Sequence, residues 1–272
     1  MSVEVLLSAM HLQNEDYIDT LNIHTDCVVI NQCDNCDEKR VGHAAFGGEV
    51  SVKYIETKER GLSKSRNMAI KNATGPVCIL CDNDVEYVPD YDRIIDDAFD
   101  AYPDADVIVF FIERRERHSP VFKKPKRMGY LSVMKIFSPE IAFRKKSIEG
   151  IGFNEDFGAG AKYFMGEENL FLYECLKRGL KVLYVPERIA QVRENESTWF
   201  KGYTAEFFIS RGANYAAMSR PFSLLLILQF AIRKRGLYRS ETGTVSAIKH
   251  MLDGRREYLG ILRGGKTEET GS

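Results

Sequence analysis

Residues 57–84 read TKERGLSKSRNMAIKNATGPVCILCDND, and the fold is decided in this stretch. Its first half, Glu59 to Asn67, is a basic and polar opening to a helix expected over about Leu62 to Asn72. Its second half is an apolar run, Val77-Cys78-Ile79-Leu80-Cys81, bounded by Gly75-Pro76 and by acids, with the length and boundaries of a buried parallel strand. Asp82 and Asp84 stand one residue apart where such a strand emerges into a loop. Two carboxylates so placed can offer oxygens to a hard divalent cation already bound to a diphosphate. A plain acidic turn is the alternative, since Asp and Asn favour turns.

Outward from this stretch, strands and helices alternate. Val3 to Ser8 is a first strand, Tyr17 to Asn22 a helix, Cys27 to Asn31 a second strand and Val50 to Ile55 a third. Beyond Asp84 a helix over about Tyr91 to Ala101 precedes the apolar run Asp106 to Ile112. This alternation implies a doubly wound α/β fold with its ligand site at the carboxyl ends of the strands. Ser8, Asn31, Asp34 and Asp82 all fall at such ends.

Composition excludes several function classes. With 272 residues, 44% hydrophobic and 28% charged, the chain can bury a sizeable core in one large or two small domains. Its net charge of -1 hides basic clusters at Arg114-Arg115, Arg117, Lys123-Lys124 and Lys126-Arg127, and again at Arg233-Lys234-Arg235. No aromatic and basic platform recurs, so no nucleic acid is expected as a partner; the clusters suit a solvated face or an anionic substrate. No basic segment followed by a long apolar one opens the chain, so the expected location is cytoplasmic. Cys33-Asp-Asn-Cys36 and Cys78-Ile-Leu-Cys81 have the spacing of zinc ligands, but Cys78 and Cys81 fall on the expected strand, where residues three apart point to opposite faces and cannot share an ion, and Cys33 and Cys36 fall in a polar loop that opens no helix of the thioredoxin kind. Cys78, Cys81 and Cys175 are expected as small core residues.

Taken in order, these parts resemble a family 2 glycosyltransferase with the GT-A fold. The resemblance covers roughly residues 3–215 and rests on the opening strand, Gly61 to Asn67, Asp82-Asn83-Asp84, Gly166-Glu167-Glu168-Asn169-Leu170, Leu176-Lys177-Arg178-Gly179 and Tyr184-Val185-Pro186-Glu187. Asn195 to Tyr203 gives it the flavour of bacterial enzymes that build surface polysaccharides. It implies a mostly parallel central sheet flanked by helices, in a catalytic domain over 1–215 with a nucleotide-sugar half over about 1–115 and an acceptor half over about 116–215. A C-terminal helical extension over 216–263 and a disordered tail over 264–272 are expected to follow.

What the resemblance implies for the site is an inverting transfer of a hexose from a UDP-sugar to a saccharide acceptor, lipid-linked on this reading, with Mn²⁺ or Mg²⁺ as cofactor. Ser8, Ala9, Asn31 and Asp34 are nominated for the uracil and ribose. Lys64 and Arg66 would lie near the diphosphate, with a basic helix surface as the alternative. Asp82 and Asn83 would contact the nucleotide-sugar and Asp84 the metal. The base that takes the acceptor's hydroxyl proton is Glu168 or Glu167. Many relatives have Glu-Asp there, and a Glu in the first helical turn also serves the helix dipole, so one of the two can do only that. The loop from Gly150 to Gly160 suits backbone passing close to a sugar, or is a plain surface loop.

One further departure matters. Many relatives carry a metal-binding His a few residues after the Pro186-Glu187 turn, whereas 188–195 read RIAQVREN, so either Asp84 and the diphosphate oxygens alone hold the cation or Arg193 supplies a fixed charge beside the departing nucleotide. Trp199 and Tyr203 either stack on an acceptor sugar or pack a core. Past Arg220-Pro221, the run Phe222 to Ile232 followed by Arg233-Lys234-Arg235 is too short to span a bilayer. Residues 222–235 either lie at a membrane surface or form a helix buried against the catalytic domain or a second subunit. A non-catalytic nucleotide-sugar binder and a sugar-phosphate nucleotidyltransferase are the competing functions.

Overall fold

A computed structural model describes residues 2–12, 17–34, 41–46, 50–115, 117–193 and 200–268. The chain divides into two units. The first comprises 1–153 with 171–196, and the second 154–170 with 197–272.

The first unit holds the sheet. Its strands are β1 (Val3–Met10), β2 (Cys27–Gln32), β3 (Val41–Phe46), β4 (Val50–Thr57), β5 (Val77–Asp82), β6 (Val85–Tyr87), β7 (Val107–Glu113), β8 (Lys126–Arg127), β9 (Ile141–Arg144) and β10 (Val182–Val192). They lie in the order β3-β4-β2-β1-β5-β9-β7-β10-β6, with β8 on β10. The block β4-β2-β1-β5 is parallel, as is β7-β10, and antiparallel β9 joins the two. Seven consecutive residues of β1 are buried, because a central parallel strand is covered on both faces. Around it come α1 (Tyr17–Thr20), α2 (Leu62–Asn72), α3 (Tyr91–Ala101) and α4 (Tyr130–Val133). The helix α5 (Glu167–Lys177) has its first residues in the second unit and the rest in the first.

Three features differ from the expectations. The hairpin strand β3 is a departure, because Val-Gly-His-Ala-Ala-Phe carries little β-forming signal; it pairs antiparallel with β4. Pro186-Glu187 is no turn. It lies within β10, where the register with β7 shifts between Tyr184 and Arg188, and such an irregularity accommodates a residue without an N–H. Finally, 264–268, expected in a disordered tail, continue a helix that ends at Glu268, while 269–272 lie outside the described residues.

The cysteines follow the strand geometry. Cys27, Cys78, Cys81 and Cys175 are buried, and burial pushes the Cys78 and Cys175 thiols up to about 12. Cys36 lies outside the described residues, and among these no cluster of three or more His, Cys, Asp or Glu is placed to hold an ion. Two basic residues of the middle segment are used in folding, whereas Arg115, Lys123, Lys124, Lys126 and Arg127 are exposed. Arg117 pairs at 3.0 Å with the fully buried Glu140, and Arg114 stacks over the ring of Phe137.

The second unit is helical, with α6 (Ala205–Met218), α7 (Ser223–Arg233), α8 (Arg235–Tyr238) and α9 (Thr244–Glu268). Thr204 caps α6 by accepting from the Phe207 N–H. The helices α6 and α9 approach closely because two glycines face each other's backbones. A Cβ on Gly212 would meet the Met251 carbonyl oxygen at 1.9 Å, and one on Gly254 would meet that of Ile209 at 2.0 Å. Tyr203 packs among Phe200, Phe207, Phe208 and Tyr238, which favours its core reading; Trp199 lies outside the described residues.

Candidate functional site

An amphipathic helix normally turns an apolar stripe inward. The helix α2 instead buries Ser63, Ser65, Arg66 and Ala69. Its start is fixed by Gly61, whose φ of 122° favours glycine and whose N–H donates to Gln32 Oε1 at 2.8 Å. That start directs two polar side chains at the carboxyl ends of β1 and β5. Ser65 Oγ lies 2.9 Å from Ser8 Oγ, and Arg66 Nη2 lies 2.9 Å from Asp82 Oδ1. Ser8 and Asp82 are themselves register partners across β1 and β5. The structure thus brings Ser8, Arg66 and Asp82 together and adds Ser65 and Gln32.

Arg66 is a buried cation, only 1% exposed, with its guanidinium over the ring of Phe153 at 5.4 Å. Asn67, next in the helix, fixes that ring's backbone: its Oδ1 accepts from the Phe153 N–H at 2.7 Å and its Nδ2 donates to the Phe153 carbonyl at 2.9 Å. Phe153 in turn stacks on Phe171 with centroids 4.6 Å apart. Arg66 is therefore held in place rather than free to sweep, and it neutralises the first carboxylate of the triplet.

The triplet itself forms the turn between β5 and β6 and is held by its backbone. Tyr17 Oη donates to the Asn83 carbonyl at 2.7 Å, and the Arg193 N–H donates to the Asp84 carbonyl at 2.8 Å. The Asn83 side chain is exposed and that of Asp84 half-buried. Burial, with the nearby Asp82 charge, raises the Asp84 carboxyl from 3.8 to about 6. With Asp82 paired to Arg66, Asp84 is the carboxylate whose environment most opposes its charge, and a cation would reverse that. Hard oxygens at this turn fit a divalent ion that takes its remaining ligands from phosphate and water. Arg193 anchors the turn through its backbone, while its side chain reaches Glu86 Oε2 and Thr20 Oγ1, each at 3.3 Å.

The remaining nominees of the first unit lie beside this cluster in different ways. Ala9 is buried in β1 opposite Asn31. Asn31 is fully buried, and its side-chain amide bonds both the N–H and the carbonyl of Leu12 and the Tyr54 hydroxyl, so it buttresses the loop after β1. Asp34 is 74% exposed and pairs with Arg60, with His11 at 3.9 Å. Lys64 turns outward to Glu59 at 3.5 Å, which is its basic-surface reading.

Glu167 and Glu168 open α5, in the second unit. Glu167 is buried, whereas Glu168 is partly accessible. The residue before them, Gly166, has φ 85°, and its carbonyl accepts from Nδ2 of the fully buried Asn214 of α6 at 2.9 Å. No motif in the sequence singles out Asn214, because its partner is a backbone atom 48 residues away. The glycine-containing loop before α5 is tied to α9 as well. Lys162 pairs with Glu257 at 2.7 Å, Asn154 Nδ2 donates to Tyr258 Oη at 3.3 Å, and Phe157, Tyr163 and Tyr258 form an aromatic group. This loop is a packed element of its unit, not a bare surface turn.

Comparison with known proteins identifies the fold and the family. No curated protein sequence matches the chain. Among solved structures, Staphylococcus aureus TarS 1-349 in complex with UDP-GlcNAc superposes with a TM-score of 0.61 at 16% identity, over 89% of this chain and 74% of that one. TarS 1-349 in complex with UDP gives 0.60 at 13% identity, over 97% and 92%. The mannosyltransferase PcManGT from Pyrobaculum calidifontis, in complex with GDP-Man and Mn²⁺, gives 0.50 at 14% identity, over 98% and 79%. At these identities the likeness is one of fold. The family model described as glycosyl transferase family 2 matches residues 20–164, more than half of the chain, and the protein therefore belongs to that family and has its GT-A fold.

Proposed function

We propose that this glycosyltransferase moves a hexose from a UDP-sugar to a saccharide acceptor with inversion at the anomeric carbon, and that the acceptor is a lipid-linked chain growing at the cytoplasmic face of a membrane in bacterial polysaccharide synthesis. The observation that carries the donor half is the turn after β5, where Arg66 neutralises Asp82 and leaves Asp84 half-buried at the carboxyl end of the parallel block. A UDP donor is supported by TarS, a protein of like fold, being solved with UDP-GlcNAc and with UDP.

In this reading Ser8, Ala9, Asn31 and Asp34 shape the base and ribose pocket, with Asn31 acting through the loop it holds. Asp82 and Asn83 face the sugar-diphosphate, Arg66 acts through its hold on Asp82, Lys64 adds positive charge on the adjoining surface, and Asp84 holds Mn²⁺ or Mg²⁺. PcManGT, solved with Mn²⁺, supports a divalent ion. When bound, such an ion offsets the charge that builds on the departing diphosphate. Glu168 takes the proton from the acceptor hydroxyl as that oxygen attacks the anomeric carbon from the side opposite the diphosphate. The C1–O bond to the phosphate breaks as the glycosidic bond forms. Its accessibility, against the burial of Glu167, supports Glu168 for contact with an acceptor. Glu167 then serves the positive end of α5.

A panel of nucleotide-sugars, with and without Mn²⁺, tests this by thermal stabilisation and by slow release of free nucleotide. Stabilisation by one UDP-sugar together with its slow hydrolysis is the expected result. Silence across the whole panel refutes the donor site.

A further inference from the structure

We infer that the outer face of α7, with the basic residues at its two ends, is a docking surface for an anionic lipid bilayer. The observation behind it is a helix whose surface is apolar except along the strip of Gln229 and Arg233, yet only part of that apolar surface is covered. Ser223, Leu226, Ile227 and Ala231 are buried, and this side faces α6 and α9 within the second unit. On the other side, Leu224, Leu225, Leu228 and Ile232 are exposed, Leu225 at 63% and Ile232 at 73%. At 100° per residue these four fall within about 100° of one another around the axis, a continuous stripe. Phe222 extends it at the start of the helix and Leu237, on α8, beyond its end; both are exposed. A continuous apolar stripe on a helix is ordinarily turned toward something that covers it.

Charge selects the occupant. Arg220 stands before the helix, and Arg233, Lys234, Arg235 and Arg239 stand at its end, all exposed. Among the described residues, none of the five forms an ion pair with a carboxylate. A helix lying in the plane of a bilayer interface sinks such a stripe to the acyl boundary while flanking Arg and Lys side chains reach the anionic headgroups. A second copy docked through the same patch about a two-fold axis would set basic residues against basic residues in either helix orientation, the Arg233 cluster facing its own copy or Arg220, which disfavours that pairing. Among the described residues no helix is long and apolar enough to cross a membrane, so the contact is peripheral. This deepens the reading of a transferase with a lipid-linked acceptor, and it is tested without turnover, so either idea can fail alone.

The test is co-sedimentation of the full chain with sucrose-loaded vesicles of phosphatidylcholine alone or mixed with phosphatidylglycerol. Binding is expected to the mixed vesicles and to weaken steeply between about 0.1 M and 1 M salt, as the screening length shrinks from about 10 Å to 3 Å. The triple change Arg233→Gln, Lys234→Gln, Arg235→Gln should lower affinity on the order of 100-fold, at about five-fold per basic residue. The pair Leu225→Asp, Ile232→Asp should abolish binding while leaving the melting temperature unchanged, since both side chains are exposed. The inference is overturned if the mixed vesicles are not bound, or if binding survives both sets of changes. It is also overturned if sedimentation shows a dimer that Leu225→Asp, Ile232→Asp dissociates while vesicles are ignored.

Discussion

Asp84→Asn should make the metal-free protein more stable while removing its response to a divalent ion. Burial and the Asp82 charge raise the Asp84 carboxyl from 3.8 to about 6, so the folded chain binds this proton more tightly than the unfolded chain does. The stability contributed by the proton is complete below the ordinary carboxylate value and is lost as pH rises through about 6. A shift of about two pH units corresponds to about 3 kcal/mol, which screening at the exposed edge of the side chain trims to about 2 kcal/mol. Above pH 7 the wild-type fold carries that cost, and the neutral amide does not. For a chain of this size the melting entropy is about 0.6 kcal/mol per degree, so the variant should melt about 3–4 °C higher. Scanning calorimetry with a chelator, at about pH 7.5 and again at about pH 5, reads the effect directly. The gap should shrink to about half at the lower pH, where the carboxyl is protonated in the folded chain but still largely ionised in the unfolded one, and it closes only below the ordinary carboxylate value. Addition of Mn²⁺ with UDP should then raise the wild-type melting temperature and leave the variant's unmoved. A variant no more stable at the higher pH, or a gap of equal size at both, refutes the view that Asp84 is a destabilised charge awaiting a cation.

Other predictions concern the groups around it. Arg66→Ala should cost about 3–5 kcal/mol, because it leaves Asp82 unpaired at the edge of the core; denaturant melts check this, and Arg66→Lys should recover only part of the loss, since it cannot keep both the Asp82 bond and the stack on Phe153. Glu168→Gln should leave nucleotide affinity intact in calorimetry and lower transfer by about 10²–10⁴-fold, while Glu167→Gln has a much smaller effect on turnover; the reverse order would move the base to Glu167. Gly166→Ala should cost about 2–4 kcal/mol, since φ is 85° there and a Cβ would lie 2.3 Å from Asn214 Nδ2; a thermal melt that matches wild type would disprove the close approach.

Much of the first unit is legible in the sequence because its strands are parallel and buried. Such strands write themselves as short apolar runs between turn residues, and Val77 to Cys81 is the clearest; α2 and α3 have the bounds expected from the sequence. What escapes is short or irregular. The strands β6, β8 and β9 have two to four residues each, too few for any periodicity to register, and β3 lacks β-branched residues after Val41. Pro186 reads as a turn because proline is barred from a regular ladder, yet the same bar does not hold at a register shift. At the site, the acids are visible as a triplet, but their division of labour is not, because it depends on which one Arg66 reaches from a helix sixteen residues away. Asn31 shows the converse: its position at a strand end follows from spacing, while its hydrogen bonds to Leu12 and Tyr54 do not.

The polar inner face of α2 connects these observations. A helix that buries Ser63, Ser65 and Arg66 gives up apolar contacts with the sheet, and burial of such groups is tolerated only where each finds a partner. Ser65 finds one in Ser8 and Arg66 finds one in Asp82, both at the carboxyl ends of parallel strands, so the departure from an apolar stripe coincides with the place where the fold binds ligands. The same helix start fixes Gly61 against Gln32, and its next residue, Asn67, fixes the backbone under the Arg66 ring contact. One segment therefore supplies the partner of Asp82, fixes the position of Arg66 and, by occupying Arg66 with Asp82, leaves Asp84 without that partner. Natural sequences break a local rule chiefly where function requires it, and here the break is carried by the run Ser63-Lys64-Ser65-Arg66-Asn67 itself, five polar residues in a row where a helix packed on a sheet would ordinarily place at least one apolar side chain.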